Sequence, residues 1–334
     1  TRYRAPMESL PPLRLRPRFH RRLWGGDTLP AWLDEPAPPG DEPVAEAWLA
    51  DGDSVVRDGP YDGARLAELV ARHGAAMVGE ASVARYGAVM PLLAKFLDAA
   101  AELSVQVHPD DAHAARRHPG SGHLGKTESW RVQQAEPGAT VVWGFERPVS
   151  EAEVRRALDD GTIGALLRTV PVRTGDVIHN PAGTVHAVGA GLRLYELQQA
   201  SDLTYRLWDH GRRGADGRPR ELHVEDALAV ADLSGGGDPR PAPRPGPDGW
   251  TVRVACPFYR LEETTTDGTV SGRTDPSAMH VVTVLNGAFE LEAGVGGRID
   301  LPEGATAVVP AATGAYRLTG RGTVARGRPV EEAS

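Results

Sequence analysis

Cysteine is almost missing from this chain: Cys256 is the only one in 334 residues. A single thiol supports neither a disulfide framework nor a cysteine-based metal site. Lysine is nearly as scarce. Of 37 basic residues, 35 are Arg, and the two exceptions are Lys95 and Lys126. No run of eighteen apolar residues exists, which excludes a membrane-spanning helix. The first 30 residues also lack the apolar stretch of a secretory signal. Positive charge is not in excess. Thirty-seven Lys+Arg against 45 Asp+Glu leave a net charge of −8, so no global field draws the chain to nucleic acid or an anionic membrane. The expectation is a cytoplasmic protein with neither kind of partner.

Glycine and proline are plentiful, at 39 and 28. That favours turns and short strands over long helices. The length suits one large or two modest domains. The two lysines carry information of their own. In a chain that uses Arg nearly everywhere, a retained Lys points to a need for a compact ammonium whose pKa can move. Chance survival is the bland alternative.

Residues 1–60 look irregular, with Pro-rich pieces around short apolar runs. Residues 61–78 have helical apolar spacing through Leu66, Leu69 and Val70. Residues 91–108 end in an alternating strand. Leu103, Val105 and Val107 share one face and Ser104, Gln106 and His108 the other. Ser150-Glu-Ala-Glu153 is a capping box, predicting a helix over about 150–160. Residues 225–233 read as another short helix. Residues 234–249 are dominated by Gly and Pro and read as a linker. Residues 250–334 show short strands with regular turns, the pattern of a small barrel or sandwich. A long-period echo relates the halves: Gly175-x5-Pro181 and Gly304-x5-Pro310 are each a Gly turn, a strand and a Pro. Two barrels on one plan would produce it.

Four side chains form a candidate metal site. Gln106 and His108 are two apart on one strand, so they share a face at about 6–7 Å. Glu128 follows a Gly-rich loop, and His186 ends the run Gly175-x5-Pro181-x-Gly183-x2-His186. Two imidazoles, one carboxylate and one amide oxygen suit a borderline divalent metal, Zn²⁺ first. Singly, each residue is better read as structural, and His179 competes with His186 for the ligand role.

The Gly175–His186 run resembles the second cupin motif, with Ala190 where that motif has Asn, and Gln106-Val-His108 with Glu128 resembles the first. Longer strings narrow the resemblance: Leu103-Ser-Val-Gln-Val-His-Pro-Asp-Asp111, Gly125-Lys-Thr-Glu-Ser-Trp130, Pro181-Ala-Gly-Thr-Val-His186 and Glu196 through Arg206. With Trp24-Gly-Gly26 and Glu46-Ala-Trp48, they look like the type I mannose-6-phosphate isomerases in their short bacterial form. The match runs in order from about residue 14 to 230 and thins beyond.

The resemblance implies a mainly β fold of two cupin-like jelly-roll barrels with a small helical segment. Residues 1–233 would form the metal-binding catalytic domain and residues 250–334 a second barrel without metal ligands, where Tyr316 stands near the place of the missing His. It also implies one Zn²⁺ on Gln106, His108, Glu128 and His186, and active-site roles for Lys126, Glu196 and Arg206. Ser104 and Lys95 fall on pocket positions too, so both lysines of the chain do. The substrate would be a sugar phosphate, and the chain is expected to act as a monomer. Arg206 stays charged, so it is expected to stabilise charge or bind phosphate. Ser104 and Lys126 are further phosphate candidates, and Lys95 a wall residue. Glu196 is the first choice of general base, and metal-activated water the second. Competing readings are a non-catalytic sugar-phosphate-binding bicupin and another metal-dependent cupin enzyme. Arg131, in place of an aromatic, has no account at this level.

Overall fold

The computed structural model of the chain describes residues 9–213 and 217–330. It is mainly β, as expected, and its strands form two jelly-roll barrels of the cupin kind. The first barrel is built from two antiparallel sheets. One has six strands, in the order Val177–Asn180, Glu128–Ala135, Leu192–Gln199, Leu92–Ala99, Val44–Ala50, Arg18–Arg21. The other has five, in the order Tyr205–Trp208, Val105–Val107, His186–Val188, Thr140–Phe145, Leu167–Pro171.

The second barrel is one long nine-stranded sheet. Its spine is two fifteen-residue strands, Tyr259–Arg273 and Ala315–Pro329, paired from Tyr259 opposite Pro329 to Arg273 opposite Ala315. The predicted echo between halves has a conformational basis. Gly175 at φ +93° and Gly304 at φ +79° both turn the chain in the left-handed region that favours glycine. Each leads into a four-residue strand, Val177–Asn180 and Thr306–Val309.

The first sixty residues are more ordered than they read. Leu13–Arg16 pairs with Thr306–Val309 on one side and Val55–Val56 on the other. The start of the chain therefore completes the sheet that residues 250–330 build. Strands of two and four residues are too short for alternation to show.

The capping-box helix is present as Glu151–Asp159, with the Ser150 hydroxyl accepting from the Glu153 N–H. The helix expected over 61–78 is shorter and broken: Leu66–His73 stops at Gly74, φ +51°, and Ala75–Val78 follows. The third is Val224–Val230. Asp111–Arg117, whose Asp110 cap accepts from the His113 N–H at 2.6 Å, was not foreseen. Nor was Glu80–Tyr86. No helix among the described residues is long and apolar enough to cross a membrane.

Candidate active site

Strand pairing assembles the site. His186 lies opposite Gln106 on one side, and Arg206 lies opposite Gln106 on the other. Paired residues share a face, so Gln106 sits between a ligand candidate and a cation. In the six-stranded sheet Glu128 lies opposite Gln198, Trp130 opposite Glu196, and Glu196 opposite Lys95. Three further polar side chains thus arrive on neighbouring strands.

His108, Glu128 and His186 come together, all buried, with one candidate ligand atom from each lying within 4.8 Å of the others. His108 Nε2 is 3.2 Å from Glu128 Oε2, and His186 Nε2 is 3.2 Å from Glu128 Oε1. The other ring nitrogens are committed outward. His108 Nδ1 donates to the Leu203 carbonyl at 2.9 Å and His186 Nδ1 to the Thr184 carbonyl at 2.8 Å. That fixes the tautomer and turns both Nε2 lone pairs inward, an outer-shell arrangement characteristic of metal-binding histidines. Gln106 brings its amide to within 3.3 Å of His186 Nε2.

This donor set fits a divalent cation. Apart from the Lys126 ammonium, 3.1 Å from Oε2, the buried Glu128 carboxylate has no hydrogen-bond donor, an arrangement that a metal would relieve. Burial, then Lys126, holds His108 down at about 3, and burial lowers His186 as well, so both imidazoles are neutral and ready to ligate. Burial opposes the Glu128 charge, yet its pKa lies well below the ordinary value, with the Lys126 ammonium the largest cause holding it down. His179 is elsewhere. Its Nδ1 is bonded to Ser129 Oγ at 2.9 Å, and it is His186, not His179, that stands with His108 and Glu128.

Gln106 and Lys126 form part of the wall of a cavity of about 450 Å³, together with Lys95, Ser104, Glu196 and Arg206. All six residues had been singled out in the sequence. The Lys126 ammonium lies 3.1 Å from both His108 Nε2 and Glu128 Oε2, beside the candidate metal group. Arg206 stands across from Gln106 on the next strand. Its Nε donates to Ser104 Oγ at 3.3 Å and its Nη1 to the Glu221 carbonyl at 2.8 Å. A surface ion pair does not explain Arg206, because Asp209 is engaged by Arg212 and Arg220. Arg220 lines the same cavity. Burial and then Arg220 lower the Arg206 pKa, which marks crowded positive charge.

Glu46 and Trp48 are wall residues to which sequence reasoning gave no role. Lys95 Nζ is 3.4 Å from Glu46 Oε2 and 3.3 Å from Glu196 Oε1. Trp48 Nε1 donates to Glu46 at 2.8 Å, and Trp130 Nε1 to Glu196 Oε2 at 2.9 Å. Three carboxylates (Glu46, Glu128, Glu196) thus share two ammonium groups. One carboxylate must be hardest to ionise. Burial, then the nearby Glu128 charge, makes it Glu196, raised to about 7, while Glu46 drops to about 2 because Lys95 and Arg22 outweigh its burial. Lys95 is held protonated: Glu196 and Glu46 outweigh its burial.

Comparisons with known proteins show the family. The sequence pattern of the phosphomannose isomerase type I catalytic domain matches residues 13–128. Mannose-6-phosphate isomerase from Streptococcus mutans is 36% identical over 297 residues, spanning 85% of this chain and 88% of that protein. The chain belongs to the mannose-6-phosphate isomerase family. Mannose-6-phosphate isomerase ManA of Bacillus subtilis is 39% identical over 223 residues, covering 66% of this chain and 68% of that one. The crystal structure of the Bacillus subtilis mannose 6-phosphate isomerase superposes with a TM-score of 0.81 at 29% identity, over 95% of this chain and 99% of that one. The sequence resemblance to this family is therefore correct, and the chain is an isomerase enzyme with a mainly β cupin fold.

Proposed function

We propose that this enzyme interconverts mannose 6-phosphate and fructose 6-phosphate through a cis-enediolate, with one divalent metal ion, Zn²⁺ first, held by Gln106, His108, Glu128 and His186. The observation that carries the reading is a single cavity whose wall holds Arg206 together with Gln106 and Lys126, the two side chains that contact the buried His/Glu/His group. The ion would supply Lewis acidity for the oxygens of the reacting carbons.

The chain's own residues supply the rest. The phosphate is assigned to the Arg206 end, where Ser104 and Arg220 also stand. Ser104 and Gln106 are two residues apart on one face, about 6–7 Å. That separation sets a phosphate at one end of an extended sugar chain against a carbonyl at the other. Glu196 is the base. It takes the proton from C2, the electron pair closes the C1–C2 double bond, and the carbonyl oxygen becomes the oxyanion. Glu196 then returns the proton to C1 as the carbonyl re-forms at C2. A carboxyl titrating near neutrality can both take and return a proton. Trp130 and Lys95 hold it in place. Lys126, at the oxyanion end, stabilises the developing charge and is placed to carry the hydroxyl proton from one oxygen to the other.

The test is a coupled isomerase assay on mannose 6-phosphate before and after chelation. Turnover should vanish with the metal and return on adding Zn²⁺. Undiminished turnover in the chelated protein, or none in the zinc-loaded protein, rejects the reading.

A further inference from the structure

The strand Glu128–Ala135 has two working faces. Side chains alternate along it. Glu128 and Trp130 point into the first barrel, one to the metal group and one to Glu196. Ser129, Arg131 and Gln133 point the other way, and each makes a polar bond to the second barrel. Ser129 Oγ is 2.7 Å from the Tyr259 hydroxyl, Arg131 Nε is 3.3 Å from Glu263 Oε1, and Gln133 Nε2 donates to the Leu285 carbonyl at 2.7 Å. Glu263 is shared with Arg253, whose other nitrogen donates to the Gly175 carbonyl at 2.9 Å, before the neighbouring strand Val177–Asn180. One strand further in, Leu197, beside Glu196, packs where a side chain on Gly327 would have to be.

Glu128 needs such support. Its carboxylate is held from the cavity side by the Lys126 ammonium, 3.1 Å from Oε2, and no other donor bonds either oxygen, so its position also depends on where the strand sets its backbone. We infer that the second barrel is a positioning domain for the metal-binding strand, with Tyr259 and Glu263 as positioning residues that fix the depth of Glu128 and Trp130. The ligand-free barrel then has a task beyond packing, and Arg131 has its explanation. The inference rests on the proposed metal-dependent isomerase reading.

The experiment measures zinc release to a chelator, kcat and KM for mannose 6-phosphate, and Tm, in wild type, Tyr259→Phe and Glu263→Gln. Val324→Ala is the control. It hollows the core of the second barrel without touching the strand. Each positioning variant is expected to release zinc faster and to lose kcat by about three- to tenfold, short of the loss from deleting an outer-shell partner of a ligand, with KM unchanged. Val324→Ala should lower Tm and leave zinc release alone. Ser129→Ala combined with Tyr259→Phe should be no worse than Ser129→Ala alone, because the serine change already removes the Ser129–Tyr259 bond along with the bond to His179. A wild type that holds zinc and turns over substrate, with positioning variants that shift only Tm, overturns the inference alone. A wild type that neither binds zinc nor turns over overturns the functional reading and the inference with it.

Discussion

Glu196 and Lys95 face each other across paired strands, with 3.3 Å between carboxylate and ammonium, and Glu46 holds the same ammonium from its other side. The two carboxylates therefore compete for one cation. Glu46 has Arg22 as well, and Glu196 has Glu128 nearby. Burial, then the Glu128 charge, lets Glu196 keep its proton to about 7, and the shared Lys95 ammonium pulls the other way.

The competition makes a paired prediction about pH. The base works ionised, so kcat/KM should rise with pH along an acid limb and flatten above the pKa of Glu196. A bound divalent ion stabilises the carboxylate, so that limb should lie below about 7 in the loaded enzyme. Lys95→Gln removes a cation and should move the limb up by about 1–3 pH units. Glu46→Gln removes an anion and frees Lys95, so it should move the limb down. Glu196→Gln should cost about 10²–10⁴ in kcat. Limbs that move in the same direction, or a nearly active Glu196→Gln, would assign the base elsewhere.

His186→Ala should leave the purified protein with little zinc, because it removes an imidazole fixed by the Thr184 carbonyl and aimed at Glu128. His179→Ala should keep its zinc, because His179 is bonded to Ser129 on the strand's other face. Metal analysis of both proteins decides it. Full occupancy in His186→Ala would strike it from the ligand set.

Arg206→Ala should retain zinc and lose about 100-fold or more in kcat/KM, given that hydrogen bonds to a charged group contribute about 1.5–3 kcal/mol each and the guanidinium can make more than one. Inorganic phosphate, a competitive inhibitor of wild type on this reading, should lose its effect on the variant. A variant that phosphate still inhibits would move the anion seat away from Arg206.

What the sequence made legible has a physical reason. The proposed ligands sit in short strings of sequence. Gln106 is on the strand Val105–Val107 and His108 is one residue past its end, and the Gly175 turn precedes the run to His186. Ser150 announced its helix because a cap is a local interaction. Glu46 and Arg131 were opaque because their partners are distant: Lys95 is 49 residues from Glu46, and Glu263 belongs to the other barrel. The strand Leu13–Arg16 was opaque for the same reason, since its partner strand lies almost at the opposite end of the chain. Lys126 was legible as a site residue but not as a neighbour of the ligands, because a long side chain can end far from where its backbone points.

Glu46 also links the site to stability. Its carboxyl is buried, and its pKa is lowered from 4.5 to about 2. Burial by itself would raise the value; Lys95, Arg22 and the Trp48 N–H reverse the sign. A group whose folded-state pKa lies below its unfolded value stabilises the fold fully above the unfolded pKa. It loses that contribution as pH falls through the folded one. At about 1.4 kcal/mol per pH unit, the contribution is about 3 kcal/mol. Glu46→Gln should therefore be less stable than wild type by roughly that amount at pH 7 in urea denaturation. The gap should begin to close below pH 4.5 and be nearly gone at about pH 2. A gap that stays constant across that range would mean that Glu46 contributes through packing and the Trp48 bond, and that the Lys95 charge is balanced by Glu196 alone.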